Sequence, residues 1–313
     1  MKGLDLARRY YEECGKKMLK NEFPETLPFL AIGLVGSGSE CYGFDDEISR
    51  DHDFEPGFCI FLPDENIVDR KTAFRLERAY TKLPNEFMGF KRNLDTPVGG
   101  RRHGVIRMDD FFLSKCASVD GELSLERWFS LPEYSLLEAT NGEVFEDFYG
   151  QFSNIRAKLK YFPEDVRLKK FAGHLLLMAQ SGQYNYARCI SRGETAAAQM
   201  AVFEFVKSAI HCIYLLNRAY VPYYKWVFKA LKELPLLSNL ANDLEYLISS
   251  GNAQSDAEKK VKTIENICAA IKEAVETEGI THFDSIEMEP LSYAVNDKIC
   301  DLNIRNLNIL HGV

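Results

Sequence analysis

The chain has 313 residues, 46% of them apolar and 27% charged, with a formal net charge of −8. This is the profile of a soluble globular protein with room for one large domain or two ordinary ones, and core formation is not in doubt. The acidic balance argues against a general nucleic-acid binder, which carries a basic face, but leaves room for a local basic pocket.

The first element expected is an amphipathic helix near 3–20, charged throughout and without the apolar core of a signal peptide. Leu30–Val35 is an apolar run short enough for a buried strand, and a Gly/Ser loop follows at 36–39. Asp51–Glu55 alternates like a strand and runs on, past Pro56 and Gly57, into Phe58–Leu62, with a bulge or break at the Pro-Gly pair. A helix over 69–82, a strand over 103–108 and a helix near 124–130 complete the front half. From about 155 onward only helices are expected, over 164–181, 183–192, 194–219, 223–233, 236–250, 255–278 and 286–310. The segment 194–219 is apolar on nearly every face toward its end, which marks a central bundle helix. The expected fold is therefore α+β, a mixed sheet with helices over 1–154 followed by an all-α bundle over 155–313, with the cleft between them as the default ligand site.

The eight cysteines show no C-x-x-C spacing, so no zinc site is expected and reduced, mostly buried thiols are. Charges interrupt every apolar stretch before a membrane-spanning length. The expectation is a cytoplasmic protein with no membrane partner and no general nucleic-acid binding.

The chemistry lies in one stretch, Val35 to Glu55. Gly36 and Gly38 permit a tight turn close to a ligand. Such a turn aims N–H groups at phosphate oxygens, with the hydroxyls of Ser37 and Ser39 as further donors. Alternation on a strand would put Asp51 and Asp53 on one face. Two close carboxylates repel unless a cation sits between them, and hard oxygen ligands with open positions suit magnesium.

The pattern of an apolar residue, Gly36-Ser37, a spacer and Asp51-x-Asp53 resembles the nucleotidyltransferase superfamily, the fold shared by polymerase beta and the aminoglycoside nucleotidyltransferases. The fuller string GSGSECYGFDDEISRDHDFEPGF is similar to a bacterial family carrying a DUF4037 domain, placed in that superfamily. LPEYSLLEATNGEVFEDFYG with LKYFPEDVRLKK resembles the linking region of such enzymes, and QYNYARCISRGETAAAQMAVFEF with LLNRAYVPYYKW resembles their helical domain. The resemblance implies transfer of a nucleoside monophosphate, AMP from ATP above all, to a hydroxyl of a small-molecule or protein acceptor. It implies magnesium, two ions in an active enzyme, on Asp51 and Asp53, and the triphosphate on Gly36, Ser37, Gly38 and Ser39.

Members with full activity add a third carboxylate on a later strand. Here 103–108 carries His103, Val105 and Arg107 on one face; Asp109 continues that face and Asp110 does not. Asp109 is the first candidate and Glu55, in phase with Asp51 and Asp53, the second. With neither, the chain would be a catalytically silent nucleotide-binding or interaction protein on the same fold. Arg188 and Arg192, four apart on one helical face, are candidates for lining the cleft and reaching the nucleotide; Lys225 beside Trp226, and the pair Arg101 and Arg102, are open to the same role or to surface charge. His52 should point to the opposite sheet face in a structural role, and Asp45-Asp46-Glu47 reads as a solvated turn. A dinucleotide-binding oxidoreductase does not fit: the order Gly33-x-x-Gly36-x-Gly38 is not G-x-G-x-x-G, and residues 39–50 cannot form the crossover helix. No Gly-Lys-Ser/Thr follows the glycines, so there is no P-loop.

Overall fold

The structure is a computed structural model that describes residues 1–51, 54–92 and 102–313, with Arg50 and Asp51 described in their backbone alone. The fold is α+β, and the chain divides into two compact units: Met1–Ser124 with Leu131–Lys160, and Leu125–Ser130 with Tyr161–Val313.

The first unit opens with α1 (Gly3–Tyr10), a π-helical turn over Tyr11–Gly15 and α2 (Lys16–Glu22). Leu6, Ala7 and Tyr10 are buried at helical spacing, and the extra residue of the π-turn lets Tyr11 face inward as well. Four strands form the main sheet: β1 (Ala31–Leu34), β2 (Cys59–Leu62), β5 (Gly104–Arg107) and β6 (Glu143–Asp147). A two-stranded hairpin, β3 (Glu86–Phe87) and β4 (Phe90–Lys91), stands apart from them. The order in the main sheet is β5-β2-β1-β6; β1 is antiparallel to both neighbours and β2 is parallel to β5. The two central strands are buried on both faces, so they read as unbroken apolar runs rather than alternating ones. A bulge falls between Ile32 and Gly33, where any Cβ on Gly33 would collide with the Glu143 carbonyl.

The pairs Ile32↔Ile60 and Ile60↔Val105 put these side chains on one face, packed with Tyr10, Tyr11, Leu19 and α3 (Arg70–Thr81). Asp69 caps α3 by accepting from Thr72 N–H at 2.7 Å. On the opposite face Phe61 stacks on Phe152 at 4.1 Å and meets Phe111 edge-on at 5.2 Å. These rings come from α4 (Met108–Cys116) and α7 (Gln151–Leu159). Between them in the chain lie α5 (Leu125–Ser130), which belongs to the second unit, and α6 (Glu133–Thr140). Helix α7 straddles the expected boundary at 154–155 and is held in the first unit by Phe152.

Two strand expectations are corrected. Asp51 closes a 3-10 turn, Ile48–Asp51, and among the described residues of the strand expected from Asp51 onward, 54–58 are not strand and β2 begins at Cys59. Pro56 has no N–H to donate, and the Phe58 N–H donates to the Tyr80 hydroxyl at 3.1 Å instead of to a neighbouring strand. The strand expected over 103–108 ends at Arg107, because α4 begins at Met108; Asp109 is thus in the first turn of a helix.

The second unit is helical, and no strand occurs among residues 161–313, all of which are described. Helix α8 (Glu164–Met178) runs through a π-helical stretch, Ala179–Tyr186, into α9 (Ala187–Ser191), so the two helices expected there are one continuous helical rod. A Cβ on Gly182 would collide with Phe205 of α10 (Thr195–Leu216), so the π-stretch packs directly against that helix. By length and composition α10 is apolar enough to cross a membrane; 61% of its apolar window is buried inside the protein, as in a bundle's core helix. The remaining helices are α11 (Val227–Leu231), α12 (Ala241–Ser249), α13 (Gln254–Thr277), α14 (Met288–Asn296) and α15 (Leu302–Arg305). The helix expected over 286–310 is broken into the last two. The Asp165 carboxylate accepts from Cys300 and Asp301 N–H at 3.0 and 2.8 Å, and Asp301 in turn caps α15. The buried Lys169 ammonium donates to Asn296 Oδ1, Arg305 O and Leu307 O, which ties this tail to α8.

Candidate functional site

The Gly/Ser loop leaves the end of β1. Gly36 has φ +118°, a region that favours glycine, and it is buried. Ser37 is exposed, while Gly38 is buried against the Glu40 carboxylate, which would collide with any Cβ there. A 3-10 turn, Ser39–Tyr42, follows. Glu40 is only 7% exposed, and its carboxylate accepts from the Ser39 hydroxyl at 3.4 Å.

This loop forms one wall of a cavity of about 290 Å³, at the small end of ligand pockets. Gly36, Ser37, Gly38 and Glu40 line that wall, while Arg102, Asp110 and Lys115 line another. Cys59, Ile106 and Phe111 place the cavity on the Phe61 side of the sheet, since Ile106 is registered with Phe61. The cavity therefore combines glycine backbone, an exposed serine, two cationic side chains and two carboxylates. Lys115 is oriented by Glu138, to which it donates at 2.6 Å.

The expected site residues distribute as follows. Gly36, Ser37 and Gly38 line the cavity, and Ser39 opens the turn behind it. His52, Asp53 and Arg101 lie outside the described residues, as does the side chain of Asp51. Asp109 is half-buried at the start of α4; burial chiefly, with Asp64 and Asp110 nearby, moves its pKa up, against the opposing pull of Arg107. Its neighbour Asp110 is the one that lines the cavity. Glu55 pairs with His103 Nδ1 at 3.1 Å and is not among the cavity-lining residues. Arg188 and Arg192 are exposed in the second unit, with the Arg188 guanidinium 4.6 Å from the Tyr184 ring centroid. Lys225 lies 5.1 Å from the ring of Trp226 in the same unit. All eight cysteines are free thiols. Among the described residues no group of three His, Cys, Asp or Glu side chains forms a metal site.

Three contributors were not anticipated. Lys115 and Glu40 carry no short motif. Asn141 lies in an Asn-Gly dipeptide, which announces a turn but not its partner. Its side chain bonds Gly36 twice, accepting from the N–H at 2.9 Å and donating to the carbonyl at 2.8 Å.

The fold is thus a mixed four-stranded sheet with flanking helices and a C-terminal helical region. Residues 128–227 match a family described as Domain of unknown function (DUF4037). The match takes in α6, β6 and α7 with Asn141, and then α8 to α10; the Gly36–Gly38 loop precedes it. Comparison with curated proteins and with solved structures gave no match.

Proposed function

We propose that this protein is a metal-dependent nucleotidyltransferase that moves a nucleoside monophosphate, AMP in our reading, from a nucleoside triphosphate to a hydroxyl of a small-molecule or protein acceptor. The observation that carries the reading is the Gly36–Gly38 turn, held at the end of β1 and opening on a cavity that also presents Arg102, Lys115 and Asp110.

The donor chemistry fits magnesium: Asp51 and Asp53 follow the turn in the chain, and two further carboxylates, Glu40 and Asp110, reach the cavity. Asp51 and Asp53 would hold the metal, which supplies charge neutralisation to the phosphates. The N–H groups that follow Gly36 in the turn and the Ser37 hydroxyl would bind phosphate oxygens, as turn amides do for anions. Lys115 and Arg102 would offset charge on the leaving group. An acceptor oxygen would attack the α-phosphorus in line; the new P–O bond forms as the α–β bridge breaks and pyrophosphate departs. Asp110, which lines the cavity, would take the hydroxyl proton.

The test is calorimetric titration with each of the four nucleoside triphosphates, with and without magnesium, on wild type and on Asp51→Asn/Asp53→Asn. The reading expects magnesium-dependent binding that the double variant loses while its circular dichroism is unchanged. Binding of no triphosphate, or equal binding by the double variant, overturns it.

A further inference from the structure

A glycine turn binds phosphate more tightly when its amides are already aimed. Glycine has the widest conformational freedom of any residue, so an unsupported Gly-Ser-Gly turn is ordered only when the ligand binds, and that ordering subtracts from affinity. In this chain Gly36 is not left unsupported. Both of its backbone polar groups are bonded to one side chain, the Asn141 amide, at 2.9 and 2.8 Å. The geometry is that of a peptide group paired with a peptide-like group, and of the short side chains only Asn offers both a donor and an acceptor at that spacing.

Asn141 is itself fixed from three sides. Its N–H donates to Leu137 O at 2.7 Å, closing α6. Arg156 Nη2 donates to the carbonyls of both Thr140 and Asn141, each at 2.8 Å. The next residue, Gly142, has φ +62° and donates its N–H to Cys41 O at 2.9 Å, on the far side of the same loop. A Cβ on Gly142 would collide with Leu34 O, so the two chain segments touch through backbone. The segment 34–41 is therefore bound at both ends to the turn 140–142, and α7 anchors that turn through Arg156.

We propose that Asn141 is the positioning residue of the phosphate-holding turn and that Arg156 positions Asn141 in turn. Asn141 touches neither phosphate nor acceptor in this role; it sets the orientation of Gly36 so that the following amides and the Ser37 hydroxyl face the cavity before any ligand arrives. The inference rests on the nucleotide reading above, and its substrate class is that reading's nucleoside triphosphate.

The test compares wild type, Asn141→Ala, Asn141→Asp and Arg156→Lys by titration with ATP and magnesium chloride, and by amide hydrogen exchange of the 34–41 segment without nucleotide. Asn141→Asp keeps the acceptor for Gly36 N–H and loses the donor, so it guards against a failure of Asn141→Ala to fold. The expected result is ATP affinity about tenfold weaker in both Asn141 variants, with a smaller loss in Arg156→Lys. Exchange over 34–41 should accelerate while exchange in α1 and α3 of the same unit stays unchanged; a merely structural residue would loosen those helices as well. Wild-type affinity together with wild-type exchange in the Asn141 variants overturns the inference and leaves the nucleotide reading intact. Accelerated exchange without any weakening of ATP binding also overturns it. If wild type itself binds no triphosphate, the nucleotide reading fails and takes this inference with it.

Discussion

Lys115 donates to the Glu138 carboxylate at 2.6 Å, and the pair stands at the cavity wall with Lys115 facing the lumen and Glu138 only 8% exposed behind it. Such a pair holds a cation in place while its partner stays out of the ligand's way. Lys115→Met should weaken triphosphate binding about tenfold, the scale of one charge-assisted contact. Glu138→Gln should leave a poorly paired ammonium and lower unfolding stability by about 2 kcal/mol. Titration and denaturant melts measure the two effects separately. Unchanged affinity in Lys115→Met would remove Lys115 from the site.

Asp109 and Asp110 are adjacent in the first turn of α4 but differ in what they face: Asp110 lines the cavity and Asp109 sits toward Asp64 and Arg107. If Asp110 takes the acceptor proton, Asp110→Asn should lower turnover at least a hundredfold with little change in triphosphate affinity. Asp109→Asn should have a much smaller effect on turnover. The opposite ranking in a single-turnover assay would return the role to Asp109.

Asp109 and Asp110 mark the limit of what strand alternation reveals in this chain. Strand parity linked Asp109 to His103, Val105 and Arg107, but Val105 is registered with Ile60 and packs toward α1 and α3, whereas the cavity lies on the side of Ile106 and Phe61. Parity also ceases to apply at Met108, where the helix begins, and four residues of strand give no periodic signal of that end. The Gly36–Gly38 turn was legible because glycine at a strand end has few other uses. Asn141 was not, since its partner is 105 residues away and only the β1–β6 pairing brings them together. In the helical unit the existence of helices was legible from composition. Their breaks were not, because the Asp165 contacts to Cys300 and Asp301 are tertiary.

Glu164 accepts from Arg167 and Arg218, at 2.7 and 2.6 Å, and its pKa falls to about 2, with the Arg167 hydrogen bond as the largest cause and burial opposing. The folded value lies below the ordinary 4.5, so this group stabilises the fold above that pH and loses its contribution as pH falls toward 2. The carboxylate is about half exposed (48%), so after allowance for solvent screening the contribution is about 1 kcal/mol. Glu164→Gln should lower Tm at neutral pH and flatten its decline between pH 4.5 and 2. An undiminished decline in that window would show that other carboxylates set it.

His174 is 4% exposed, stacks on His211 at 4.3 Å and carries a buried Nδ1 with no hydrogen-bond partner among the described residues. Burial first, then His211, Lys170 and Lys207, lowers its pKa well below 6.5. A depressed folded value means that the stability is present above pH 6.5 and is lost progressively as pH falls below it, because unfolding then takes up a proton. His174→Phe keeps a ring against His211 and should make unfolding of the helical unit less pH-dependent just below 6.5, at a higher pH than the Glu164 window. Thermal melts at half-unit pH steps resolve the two. Equal slopes in wild type and His174→Phe would contradict the assignment.

The proposed reaction transfers a nucleoside monophosphate, α-phosphate included, from a triphosphate to an acceptor hydroxyl. Its most direct measurement incubates purified protein, magnesium and a cell extract with ATP labelled in parallel at the α- or the γ-phosphate. The α-label is expected to pass to an acceptor and the γ-label to appear in pyrophosphate, with both lost in Asp51→Asn/Asp53→Asn. Transfer of the γ-label to an acceptor, or no transfer of either label, would contradict it.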